Sequence, residues 1–155
     1  MAMVMSDLLR ILEREVYMSE LDNMKSSLVG KKAELQTQTA ERERCMGMAE
    51  EIEAVYKRLK EDKELMSGYR DSVKSFSNET FDRFVGNLYS SSYKNHMDQL
   101  VSSYNQLIRN IDDNMDRLNT LRAQYENKAY QCDGIIGSLR SVINTLVHKI
   151  ENWTN

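Results

Sequence analysis

The sequence predicts an all-α protein, an elongated antiparallel helical hairpin of coiled-coil type with a kinked C-terminal helix. Three observations carry this. Between Tyr93 and Trp153 an apolar residue returns every three or four positions, which keeps one stripe on one face of a helix. The 155 residues contain no proline, so nothing in the chain forces a helix to stop. The aromatic-dense segment at 75–89 falls near the middle and leaves two arms of nearly equal length. At a rise of about 1.5 Å per residue the long stripe would run roughly 90 Å. That is too long to be buried inside a globule of this size, so the stripe must lie along another helix.

The chain reads as a single domain over 1–155, with a first arm at about 6–75, a turn at about 76–89 and a second arm at about 90–153. In the first arm Ser6 can cap a helix and Asp7 suits its first turn. Leu21, Leu28 and Leu35 then repeat at coiled-coil spacing. The stripe fades over 36–44 and resumes with Cys45, Ala49, Ile52, Val55, Leu59, Leu65, Tyr69, Val73 and Phe76. In the turn, Gly86 can take the left-handed conformation that other residues resist. The second arm carries the series Met97, Leu100, Tyr104, Leu107, Ile111, Met115, Leu118, Leu121 and Tyr125. It continues through Ala129, Cys132, Ile136, Leu139, Ile143, Leu146 and Ile150 to Trp153. Val101, Ile108, Val142 and Val147 lie beside this series. Gly134 and Gly137 predict a kink or short break near 133–137.

Composition excludes several classes of function. Hydrophobic residues make up 41% and charged residues 29%, a balance that suits long amphipathic helices better than a sheet. Residues 1–76 hold 13 basic and 15 acidic side chains, and residues 77–155 hold 8 and 9. Neither half is a basic patch, so no nucleic-acid partner is expected. No apolar run reaches the ~18 to 20 residues of a membrane span, and no cleavable signal peptide is read at the start. The expected location is the cytoplasm. Cys45 and Cys132 are too few for a disulfide scaffold and are expected to be reduced and semi-buried.

Chemistry finds little footing. His96 and His148 have no His or Cys at i+3 or i+4 to share a metal on one helical face. Asp112, Asp113 and Asp116 lack the Glu-x-x-His pattern of bundle metal sites. No phosphate loop and no nucleophile elbow is present. The chain is therefore expected to have no catalytic residue, no metal site and no cofactor. It offers more apolar residues than one stripe per helix can bury, and such a surplus points to association.

The layout resembles the small helical proteins of type VII secretion loci in Gram-positive bacteria. The members related to the WxG proteins are helical hairpins with Trp-x-Gly at the turn, and Phe84-Val85-Gly86 stands at that place here. The stretch Asp133-Gly134-Ile135-Ile136-Gly137-Ser138-Leu139, followed by Ile143, Leu146, Ile150 and Trp153, is similar to the end of the longer YwqH-like members encoded beside LXG toxins. The resemblance implies a partner protein that binds the helical N-terminal region of such a toxin, alone or together with a second small helical protein. It implies that the chain aids toxin stability or export and can be co-exported. The family's Tyr-x-x-x-Asp/Glu and Phe-x-x-x-Asp export signals do not follow the turn in this chain.

The expected function is thus a non-enzymatic helical adaptor or chaperone. The alternative is a self-associating coiled-coil scaffold or tether, a homo-oligomer. The expected partner face is the second arm, over Leu100, Leu107, Ile111, Leu118, Ile136, Leu139, Ile143, Leu146 and Ile150, where charge is sparse and desolvation is easiest.

Overall fold

A computed structural model describes the backbone of residues 2–79, 86 and 89–154, and the side chains of 10–79, 86 and 91–153. Helix α1 spans Ala2–Ser77 and helix α2 spans Lys94–Thr154, with a π-helical turn over Tyr89–Tyr93 leading into α2. The two long helices pack against each other as a hairpin, and the described residues contain no strand.

α1 begins at Ala2, so Ser6 lies inside the helix rather than capping it. Nothing in Met3-Val4-Met5 breaks a helix, and propagation through them is cheaper than starting afresh at Ser6. At the other end Ser77 Oγ and the Asn78 N–H both donate to the carbonyl of Lys74, at 3.0 and 3.2 Å. The Glu79 N–H donates to the carbonyl of Phe76 at 3.2 Å. These bonds satisfy carbonyls that the helix end leaves unpaired. Gly86 has a φ of 134°, a region in which a side chain is strained. Phe84 and Val85, the rest of the expected turn motif, lie outside the described residues, as do 80–83, 87 and 88.

α2 is helical without interruption through Asp133–Gly137, so the two glycines do not break it. Ser138 Oγ donates to the carbonyl of Gly134 at 3.1 Å, a back-bond of the kind that bends helices.

The chain forms two compact units, residues 1–46 with 127–155, and residues 47–126. In the 47–126 unit one set of residues withdrawn from water recurs at alternating steps of three and four, with half-buried residues such as Glu53, Asn105 and Asp112 beside it. On α1 they are Ala49, Ile52, Tyr56, Leu59, Lys63, Met66, Arg70, Val73 and Ser77. On α2 they are Met97, Val101, Tyr104, Ile108, Ile111, Met115, Leu118, Arg122 and Tyr125. This is the a and d seam of a heptad repeat, with the most deeply buried apolar residues at Ala49, Ile52, Ile108, Ile111 and Met115. Cross-helix pairs show that the two helices of this unit run antiparallel in constant register. Arg122 binds Glu53, Lys63 Nζ lies 2.5 Å from Asp112, and Arg70 donates to Asn105 at 3.4 Å. Ten residues forward on α1 take ten back on α2, and seven more take seven.

The unit formed by 1–46 and 127–155 follows the same rule. Its seam holds Leu21, Met24, Leu28, Lys31, Leu35, Gln38, Arg42 and Cys45 against Ala129, Cys132, Ile136, Leu139, Ile143, Leu146, Ile150 and Trp153. Cys45 and Cys132 are both buried, and both are free thiols. Arg42 donates to Asp133 at 2.6 Å and sets the register. In that register the end of α2 at Thr154 comes level with Leu21. Ile11, Leu12, Val16 and Met18 lie before that level, with no described part of α2 opposite them, and are exposed. Tyr17 reaches across: its hydroxyl donates to the carbonyl of Trp153 at 2.8 Å, and the ring centroids lie 4.7 Å apart.

Candidate partner-binding face

Each helix of a two-stranded coiled coil has two edges beside its seam, at heptad positions e and g. In the 47–126 unit the e edge is closed by charge. Lys63, Arg70 and Arg122 occupy a positions, so their aliphatic stems lie along the seam while their heads reach the e residues Asp112, Asn105 and Glu53 of the other helix. Lys57 adds a contact to Glu53 at 3.6 Å within α1.

The g edge of α2 is different. Leu100, Leu107 and Leu121 recur at multiples of seven and keep 43%, 43% and 40% of their surface. The sequence series had placed these three in the main stripe, with Val101 and Ile108 beside it. The structure reverses the assignment: Ile108 is buried and Val101 half-buried in the seam. Steps of three and four fit either line, and α2 is apolar along both. The choice is made by α1, whose seam cations must reach the e residues of α2.

The other expected site residues divide by unit. In the 47–126 unit Ile111 is buried and Leu118 is half-buried. In the other unit Ile136 and Leu139 are buried, and Ile143, Leu146 and Ile150 are half-buried. All seven are seam residues, already shielded by α1 of their own unit. A partner could reach the buried ones only by parting the helices. Leu100 and Leu107 need no such opening. Leu121, which stands in the same sequence series but outside the expected partner face, belongs with them, and its spacing of fourteen from Leu107 is the signal.

The electrostatics near the seam are structural. Two Arg44 N–H groups donate to Glu41 at 2.6 and 2.8 Å and hold its carboxyl down to about 2, from an ordinary 4.5. Burial and then the Glu41 carboxylate push the Cys45 thiol up, which leaves little of the nucleophilic thiolate. His148 faces Glu151 at 3.5 Å, and His96 is exposed. Among the described residues no three His, Cys, Asp or Glu side chains converge to hold a metal ion. No described helix is long and apolar enough to cross a membrane.

Fold and edges together define a class, the antiparallel two-helix hairpin with one charged edge and one apolar edge in its 47–126 unit. Comparison of the chain with protein-family profiles, curated proteins and solved structures found no match.

Proposed function

We infer that this chain is a non-enzymatic adaptor or chaperone that holds an amphipathic helix of another protein, and that the client is the helical N-terminal region of a type VII-secreted LXG toxin. The observation that carries the reading is the line Leu100, Leu107 and Leu121, three half-exposed leucines at heptad spacing beside a seam that is already filled. A third helix laid on that line would remove its apolar surface from water, and at about 25 cal/mol per Å² that surface supplies the driving force. The toxin identity rests on the resemblance at Phe84-Val85-Gly86 and at 133–153. In this reading the chain acts in the cytoplasm and keeps the client soluble until export.

The test is co-expression with the helical N-terminal region of an LXG toxin. Leu100→Asp with Leu107→Asp should abolish co-purification while circular dichroism keeps its helical signal. Retained co-purification removes the leucine line as the client face. Sedimentation of the chain alone as one defined homo-oligomer, lost in the same variant, would favour the scaffold or tether.

A further inference from the structure

The leucine line has a counterpart on α1. Val55, Asp62, Tyr69 and Phe76 also stand at intervals of seven, each three residues after a seam residue: Ile52, Leu59, Met66 and Val73. Leu100, Leu107, Asn114 and Leu121 stand three after Met97, Tyr104, Ile111 and Leu118. Both lines are therefore g positions. A half-turn about the axis perpendicular to an antiparallel pair exchanges its helices and keeps each side in place. Residues with the same offset from the seam thus share a side of the hairpin.

The register set by Glu53–Arg122, Lys63–Asp112 and Arg70–Asn105 puts the two lines in step. Val55 comes level with Leu121, Asp62 with Asn114, Tyr69 with Leu107, and Phe76 with Leu100. The six apolar members are between 39% and 52% exposed, and Asp62 and Asn114 are exposed too. This side is a groove of four layers, three apolar and one polar. Neither Asp62 nor Asn114 makes a hydrogen bond or ion pair among the described residues. A helix that covers the apolar layers must also cover a carboxylate and an amide, and leaving them unpaired under it would oppose binding.

We propose that this groove takes a single amphipathic helix of another protein carrying lysine or arginine at the Asp62–Asn114 layer, and that this pairing sets its register. The proposal rests on the adaptor reading and names the chemistry of the client helix. With one apolar layer on one side of the polar layer and two on the other, the cation fixes how far along the groove the client sits. A lone polar layer in an apolar heptad is a known device for specifying register. A second copy of this chain fits less well: neither g line carries a cation, so a copy laid g line to g line places none at the layer of Asp62, and its Arg58 and Arg117 stand at the outer c positions.

The probe is a set of synthetic amphipathic helices about four heptads long, with leucine at three layers and arginine, leucine or glutamate at the fourth. Binding to the full chain is read by fluorescence anisotropy. The arginine peptide should bind about tenfold tighter than the glutamate peptide, and Asp62→Lys should reverse the order. Asp62 is exposed, so the variant should keep its helicity, which circular dichroism checks. Binding of all three peptides without preference, or a preference that survives Asp62→Lys, overturns the register lock but leaves a helix-binding groove. Failure of every peptide to bind overturns the proposal, while co-purification with the toxin region judges the adaptor reading separately. Binding only by a second copy, seen as a dimer that Asp62→Lys leaves intact, also overturns it.

Discussion

The two units use the same heptad position in opposite ways. In the unit of 1–46 and 127–155 the g line of α1 reads Glu13, Glu20, Ser27, Glu34 and Glu41, and that of α2 reads Lys128, Ile135, Val142 and Lys149. In the 47–126 unit the lines read Val55, Asp62, Tyr69 and Phe76, and Leu100, Leu107, Asn114 and Leu121. The first edge carries acids on one helix and lysines at both ends of the other, and Lys128 lies near enough to help lower the Glu41 carboxyl. Ile135 and Val142 at its centre are as exposed as Leu100 and Leu107, at 43%, but the register sets Glu41 and Glu34 level with them. The second edge is apolar on both helices except for one layer. Helices with the same periodicity and seam spacing can therefore be closed in one unit and open to a third helix in the other. What differs is a handful of flanking side chains, because a coiled coil is stabilised by its seam and leaves its edges free to vary.

The comparison can be broken most directly by exchanging seam for edge. Ile111 is 8% exposed in the seam, and Ile111→Ala should cost about 2 to 4 kcal/mol, read as a lower midpoint in thermal or urea unfolding. Leu107→Asp, one helical turn away on the edge, should cost less, about 1 kcal/mol, since 43% of its surface is already exposed. The same substitution should weaken the client complex by at least about 1.4 kcal/mol, a tenfold change measured by titration. If Leu107→Asp unfolds the chain as Ile111→Ala does, the distinction between seam and edge fails. In the other unit Ile143→Asp with Leu146→Asp should lower helicity and client binding together, since both residues are half-buried in the seam. Lost binding with full helicity would move the partner face into that unit.

Smaller effects sharpen the picture of the charged elements. Arg42 and Asp133 form a cross-helix pair with both side chains more than a third exposed, so Asp133→Asn should cost only about 0.5 kcal/mol, less in high salt. Glu41 should mark the acid limb. Its folded pKa is depressed, so its stabilising effect is present above pH 4.5 and is lost as the pH falls toward 2. The gap in melting temperature between the natural chain and Glu41→Gln should close across that window. A gap that stays constant would mean that the Arg44 contact does not survive in solution.

Helix was legible in the sequence because its cause is local. Side chains three and four apart meet on one face whatever lies opposite, and the lack of proline let both helices run on. The hairpin followed from the central break in the stripe and from a length that one helix could not bury alone. Ser6 misled because a good cap does not start a helix when the residues before it already favour one. The exposed apolar edge was legible in part. Leu100 and Leu107 were named, but with Ile111, Ile136 and Leu139, which the seam consumes. Val55, Tyr69, Phe76 and Leu121 stand in the apolar stripes of the sequence but outside the expected partner face.

The sequence by itself determined that the chain is helical, that it doubles back, and that it holds more apolar residues than one stripe can use. Only the tertiary structure decided which residues are the surplus. Along α2, positions a and g are both apolar, with Val101 beside Leu100 and Ile108 beside Leu107, so the periodicity of one helix cannot rank them. The ranking comes from α1, where Lys63, Arg70 and Glu53 reach fixed partners on α2 and turn one apolar line inward and the other out. Burial is a property of a pair of surfaces, and a single helix carries only one of them.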